Sequence, residues 1–132
     1  MNQLLNTQLL NKITEQAKQS PRLRMNYNLH AGPDAKAQRL FNVLEPGTEL
    51  PIHRHMKTDE TYILVRGKLR VDYYNNKKEL TDSIILDPLT ENFGLHVPAG
   101  QWHTVESLES GTTIFEVKDG PYAPLSPEDI MA

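Results

Sequence analysis

The chain has 132 residues, 38% of them hydrophobic and 23% charged, with a formal net charge of -3. That length and apolar content fit one domain with one core and exclude general disorder, and the acidic balance argues against a nucleic-acid partner, which needs a clustered basic excess. No cysteine is present, which removes disulfide frameworks, thiolate ligands and thiol catalysis together and suits a reducing compartment.

The N-terminal stretch MNQLLNTQLLNKITEQAK has neither a basic leader nor an unbroken apolar run, so it does not read as a signal peptide. No apolar run approaches the roughly 20 residues needed to span a bilayer, and a soluble cytoplasmic protein is expected. Leu5, Leu9, Ile13 and Ala17, with Leu10 beside them, predict an amphipathic helix over residues 5 to 18. Ser20-Pro21 ends it, because proline restricts the residue before it and has no N–H to donate. Lys12, Lys18, Arg22 and Arg24 then read as a solvated helix face. Next the period changes to two. Leu23, Met25, Tyr27 and Leu29 alternate with Arg24, Asn26, Asn28 and His30, as in a half-buried strand. After AGPD, the segment AQRLFNVL reads as a strand with some helical ambiguity. Short apolar runs follow: TYILVRG, KLRVDYY, SIILD, GLHVP, HTVESL and TTIFEVK. Turns fall at Asn75-Asn76, Asp87-Pro88, Ala99-Gly100 and Ser110-Gly111. So many short strands predict an all-β sandwich or barrel, and the proline-rich GPYAPLSPEDIMA predicts an extended arm.

The chemistry concentrates in PGTELPIHRHMKTDETYILVRG, residues 46 to 67. On a strand, His53 and His55 share one face, so their imidazoles converge on one ion. If residues 53–55 and 60–66 are adjacent antiparallel strands joined by a turn at Met56–Asp59, Glu60 faces the same interior. VPAGQWHTV offers a further ligand: Pro98 and Gly100 make a tight turn, and His103 begins the next strand. Three neutral imidazoles and one carboxylate leave open positions on a divalent metal, as in working rather than structural sites.

The order Gly47, His53, His55, Glu60, Gly67 resembles the first motif of the cupins, and Pro98, Gly100 and His103 resemble the second. Asn92 departs from the second motif where glycine is usual, and Ser107 where asparagine is frequent; neither is a ligand position. The resemblance implies a single-domain double-stranded β-helix barrel, with one divalent ion (zinc, iron, manganese or nickel) held by His53, His55, Glu60 and His103. Within one domain over residues 1–132, the expected parts are an N-terminal helix at 1–20, a barrel at 23–118 and an extended tail at 119–132. NLH at 28–30, AQRLFNVLEPGTELPIHRH at 37–55, VPAGQWHTVES at 97–107 and FEVKDGPYAP at 115–124 are similar to the WbuC-type cupin-fold metalloproteins, which accompany bacterial surface-polysaccharide clusters.

Around that centre, Tyr62, His30 and Glu116 are candidate acid–base groups, with Tyr122 beside them. A solvated strand is the simpler account of the Glu-Val-Lys run containing Glu116. Tyr62 is a pocket wall or core. Arg66 shares the parity of Glu60 and is a candidate to hold an anionic substrate through its forked donors, or else it is exposed at its strand end. His30 lines the cavity mouth or lies on a surface strand, His96 is outer-shell or exposed, and Trp102 has the parity opposite to His103. The expectation is a metal-binding cupin acting on a small carbohydrate-related molecule by Lewis-acid chemistry, as an isomerase, epimerase or lyase. The alternatives are an iron-dependent dioxygenase and a non-enzymatic small-ligand binder. The partners expected are a small-molecule substrate or ligand, with a homodimer allowed and neither nucleic acid nor membrane involved.

Overall fold

A computed structural model describes residues 2–131; the outermost residues of the expected helical and tail segments, Met1 and Ala132, lie outside it. Helix α1 spans Thr7–Gln19. It starts later than the apolar spacing predicted because Asn6 is its N-cap, the Asn6 side chain accepting from the Leu9 N–H at 2.9 Å. Leu5 therefore falls before the helix and is exposed, and the buried stripe is Leu10, Ile13, Thr14 and Ala17. At the other end Ser20 N–H donates to Ala17 O at 3.1 Å, and Pro21 follows.

The strands are β1 (Arg24–Asn28), β2 (Ala37–Leu44), β3 (Glu60–Arg66), β4 (Leu69–Tyr74), β5 (Leu80–Leu86), β6 (Gly94–Val97), β7 (Trp102–Ser107) and β8 (Thr112–Asp119). They form a five-stranded sheet in the order β1-β2-β8-β3-β6 and a three-stranded sheet in the order β5-β4-β7. All four expected turns are present, each closed by a backbone hydrogen bond: Lys78 N–H to Asn75 O, Thr90 N–H to Asp87 O, Gln101 N–H to Pro98 O and Thr112 N–H to Glu109 O. No helix among the described residues is long and apolar enough to cross a membrane.

The five-stranded sheet carries two different faces. Phe41 and Val43 of β2 pack outward with Leu10, Ile13 and Ala17 of α1, joined by Met25, Tyr27 and Phe115. The opposite face meets the three-stranded sheet around Leu44, Tyr62, Leu64, Leu69, Val71, Leu86, Val97 and Ile114. Between β3 and β4, Gly67 has φ +88°, and a Cβ there would lie 2.6 Å from the Thr112 Cα, so glycine alone fits the approach of β8.

After β8 the described chain carries no named strand and one short 3-10 turn at Pro127–Asp129. It doubles back over the end of the sandwich. Gly120 N–H donates to Lys36 O, Tyr122 N–H to Pro33 O and Met131 N–H to Ile52 O, while Asp129 O accepts from Arg54 N–H.

Candidate metal centre

The expected hairpin between residues 53–55 and β3 does not form. β3 is flanked by β6 and β8 instead, and His53 makes isolated bridges to His103 and Ile130. Pro51 and the hydrogen bond from Gly100 N–H to His55 O direct the segment toward the β6–β7 turn and β7 rather than toward β3. The histidines nevertheless converge, because His53 and His103 exchange backbone hydrogen bonds. His53 and His55 have ring centroids 5.2 Å apart, and His53 and His103 4.5 Å. Glu60 reaches the same point from the inner face of β3.

The ligand atoms of His53, Glu60 and His103 all lie within 4.8 Å of one another. His55 falls outside that group of three, yet its Nε2 is 2.6 Å from Glu60 Oε1. His103 Nε2 lies 3.7 Å from the same oxygen. The Nδ1 atoms of His53 and His103 sit 2.9 Å from Pro51 O and Gln101 O, so each ring donates there and leaves its Nε2 lone pair for the centre. Glu60 is 3% exposed, and its Oε1 meets the imidazole nitrogens of His55 and His103. A buried carboxylate oxygen left facing imidazole nitrogens is an arrangement that a cation satisfies and an apolar core does not. The residues fit a divalent ion.

Electrostatics agree with neutral imidazoles at His53 and His103 beside one carboxylate. Burial, then the charge of His103, lowers His53 to about 4. Burial likewise lowers His103. Burial alone would raise Glu60, but its hydrogen bond and charge interaction with His55 outweigh that and hold it at about 2.

The other predicted site residues separate into two groups. Tyr62 and Glu116 are direct cross-strand partners on β3 and β8, so both face the interior. Tyr62 Oη is 3.3 Å from His103 Nε2. Glu116 accepts from Asn42 Nδ2 at 3.2 Å and is pushed up to about 7, by burial first and then by the charge of Glu60. The solvated-strand account of the Glu-Val-Lys run therefore does not hold. Lys118, also on that inner face, pairs with Glu60 on one side and Gln38 on the other. Gln38, Asn42 and Lys118 were missed because neighbours across a sheet are set by register, which a single strand's alternation does not reveal.

Arg66 is a correction. The register shift between Leu64 and Arg66 inserts Val65 as a bulge and turns Arg66 to the outer face. There its guanidinium donates to Gly111 O, Asn11 Oδ1 and Thr14 Oγ1, tying α1 to the β7–β8 turn. It does not enter the barrel. His30 is held against the Arg39 backbone, its Nδ1 3.1 Å from the Arg39 N–H. His96 lies exposed beside Asp59 and Thr61, and the Tyr122 side chain is exposed. Trp102 faces away from His103, beneath the Arg54 guanidinium at 4.4 Å, with its Nε1 donating to Asn76.

A family model described as a domain of unknown function, DUF6016, matches residues 5–86, well over half of the chain. The chain belongs to that family. No curated protein matches it significantly. Among solved structures, this DUF6016 chain is similar to KdgF from Halomonas sp., with TM-score 0.60 and 17% identity over 79% of this chain and 84% of that one. It is also similar to a cupin superfamily protein from Desulfitobacterium hafniense, at TM-score 0.57 and 14% identity over 73% and 76% of the two chains. The capsular polysaccharide assembling protein CapF from Staphylococcus aureus aligns at TM-score 0.61 and 18% identity, over 75% of this chain but only 27% of that one. At these identities the likeness establishes the fold: a single-domain, all-β cupin with an N-terminal helix.

Proposed function

We propose that this DUF6016 protein binds one divalent metal through His53, His55, Glu60 and His103 and acts on a small carbohydrate-related molecule by isomerase-, epimerase- or lyase-type chemistry. The observation that carries the reading is the buried Glu60 carboxylate set among the imidazoles of His53, His55 and His103. A divalent ion bound there supplies Lewis-acid polarisation of a substrate oxygen. Glu116 supplies the titratable group such chemistry needs beyond the ligands, because a carboxyl near about 7 takes up and releases a proton at neutral pH. Tyr62, buried with its hydroxyl 3.3 Å from His103 Nε2, is assigned the role of orienting the substrate at that end of the site. His30, bonded to the Arg39 backbone, has no part in this scheme.

The carbohydrate direction rests on the WbuC-type sequence resemblance and on the likeness to CapF, whose own role is capsular polysaccharide assembly. The proposed compartment is the cytoplasm, on composition. The test is elemental analysis of protein purified without added metal, followed by anaerobic turnover of nucleotide sugars and surface-polysaccharide precursors by the zinc form. Zinc-supported turnover is the expected result. Activity only in an iron form, and only with oxygen consumed, would establish the dioxygenase reading instead.

A further inference from the structure

Beside the metal residues lies a cavity of about 630 Å³, within the range that holds a small organic ligand. His55 lines it at the metal end, Gln38 and Lys118 line the sheet side, and the returning arm roofs it with Pro121, Pro124 and Leu125. Gln38, Lys118 and Glu60 form one row across β2, β8 and β3, placing an amide and an ammonium directly alongside a metal ligand.

Both groups have spare capacity. Gln38 is 5% exposed, and its buried Nε2 has no hydrogen-bond partner among the described residues. A buried amide N–H without an acceptor is a standing cost to the fold, and a ligand acceptor removes it. Lys118 makes no ion pair within 4.0 Å among the described residues, whereas Arg54 in the same wall is already held by Asp129 at 2.9 Å. Lys57 also lines the cavity but is exposed at its rim.

We propose that Gln38 and Lys118 form a clamp for the carboxylate of a small hydroxylated monoanion whose hydroxyl end faces the metal residues. The proposal rests on the metal-centre reading and adds the substrate class to it. One ammonium and one amide match a single negative charge. A phosphate dianion would need more donors and would face Asp119, Glu128 and Asp129, which line the same cavity.

The test uses the zinc-loaded full chain and three hexoses that differ only at C6: glucuronate, glucose and glucose 6-phosphate. Calorimetry should show glucuronate binding at least tenfold tighter than the other two. Lys118→Met should abolish that preference with zinc content unchanged, Gln38→Leu should weaken it severalfold, and Lys118→Arg, which keeps the charge, should retain it. Glucose bound equally well, the phosphate bound more tightly, no glucuronate binding at millimolar concentration, or a preference that survives Lys118→Met would each overturn the clamp while the metal reading stood. Wild-type protein that takes up no zinc overturns both.

Discussion

His53 and His103 are locked to each other by their backbones: His53 N–H donates to His103 O at 3.0 Å, and His103 N–H to His53 O at 2.9 Å. The spacing of these two histidines is thus set by the backbone pairing of the fold. His55 and Glu60 lack such a tie to each other and meet only through side chains.

Metal binding should therefore fail at the side-chain pair without collapse of the protein. His55→Ala and Glu60→Ala are each expected to fold and to hold less than a tenth of the wild-type metal. Both should also lose the metal-dependent rise in stability, which for wild type is about 2.7 kcal/mol at a hundredfold excess over the dissociation constant. Elemental analysis and paired thermal melts check this, and full occupancy in both variants would remove the ligand assignment.

The stability of the metal-free protein should carry two opposed pH dependences. His53 is lowered from its ordinary 6.5 to about 4, so between those values the unfolded chain binds a proton that the folded chain refuses, and stability rises with pH. Glu116 is raised from 4.5 to about 7, so the folded chain keeps its proton longer and stability falls across that window. Glu116→Gln removes the second effect. Its denaturation profile between pH 4.5 and 6.5 is expected to climb more steeply than that of wild type, by up to about 1.4 kcal/mol per pH unit for one proton. Parallel profiles would mean that Glu116 titrates at its ordinary value.

Acidification should also release the metal, and late. A ligand imidazole already lowered by burial yields to protons only below the usual histidine range. Half-release is expected clearly under pH 6.5, followed by equilibrium dialysis against zinc. Affinity that is constant into strong acid would mean the ligands are not histidines.

Arg66→Ala should weaken the fold and spare the site. Its donors to Gly111, Asn11 and Thr14 join the helix to the sheet, and losing them is expected to cost about 1–3 kcal/mol. Metal stoichiometry should remain that of wild type. Loss of metal with unchanged stability would return Arg66 to the cavity.

Much of the fold was legible because its signals are local: the helix spacing, the proline stop, alternation in β3 and the four turns. The candidate ligand set came from motif order, and the structure brings the ligand atoms of His53, Glu60 and His103 within 4.8 Å of one another. What failed was non-local or depended on one irregularity. Strand parity leaves Arg66 open to the interior or to the exposed strand end, and the bulge at Val65 turns it outward. The partner of residues 53–55 was read as the next strand, whereas backbone pairing joined His53 to β7. Glu116 and Lys118 looked solvated because nothing in FEVKDG says which side of β8 meets Tyr62 and Glu60.

β8 divides its side chains by alternation: Phe115 packs toward the helix, while Glu116 and Lys118 lie opposite Tyr62 and Glu60. Inserting or deleting one residue ahead of Phe115 would exchange these roles all at once, turning the aromatic ring toward the polar face and Glu116 and Lys118 to the outer face of the sheet. This strand can therefore diversify residue by residue, with ligand preference and helix packing adjusted independently, but it has no tolerance for a change of length. Libraries aimed at altering the ligand should vary Glu116 and Lys118 and leave the frame untouched.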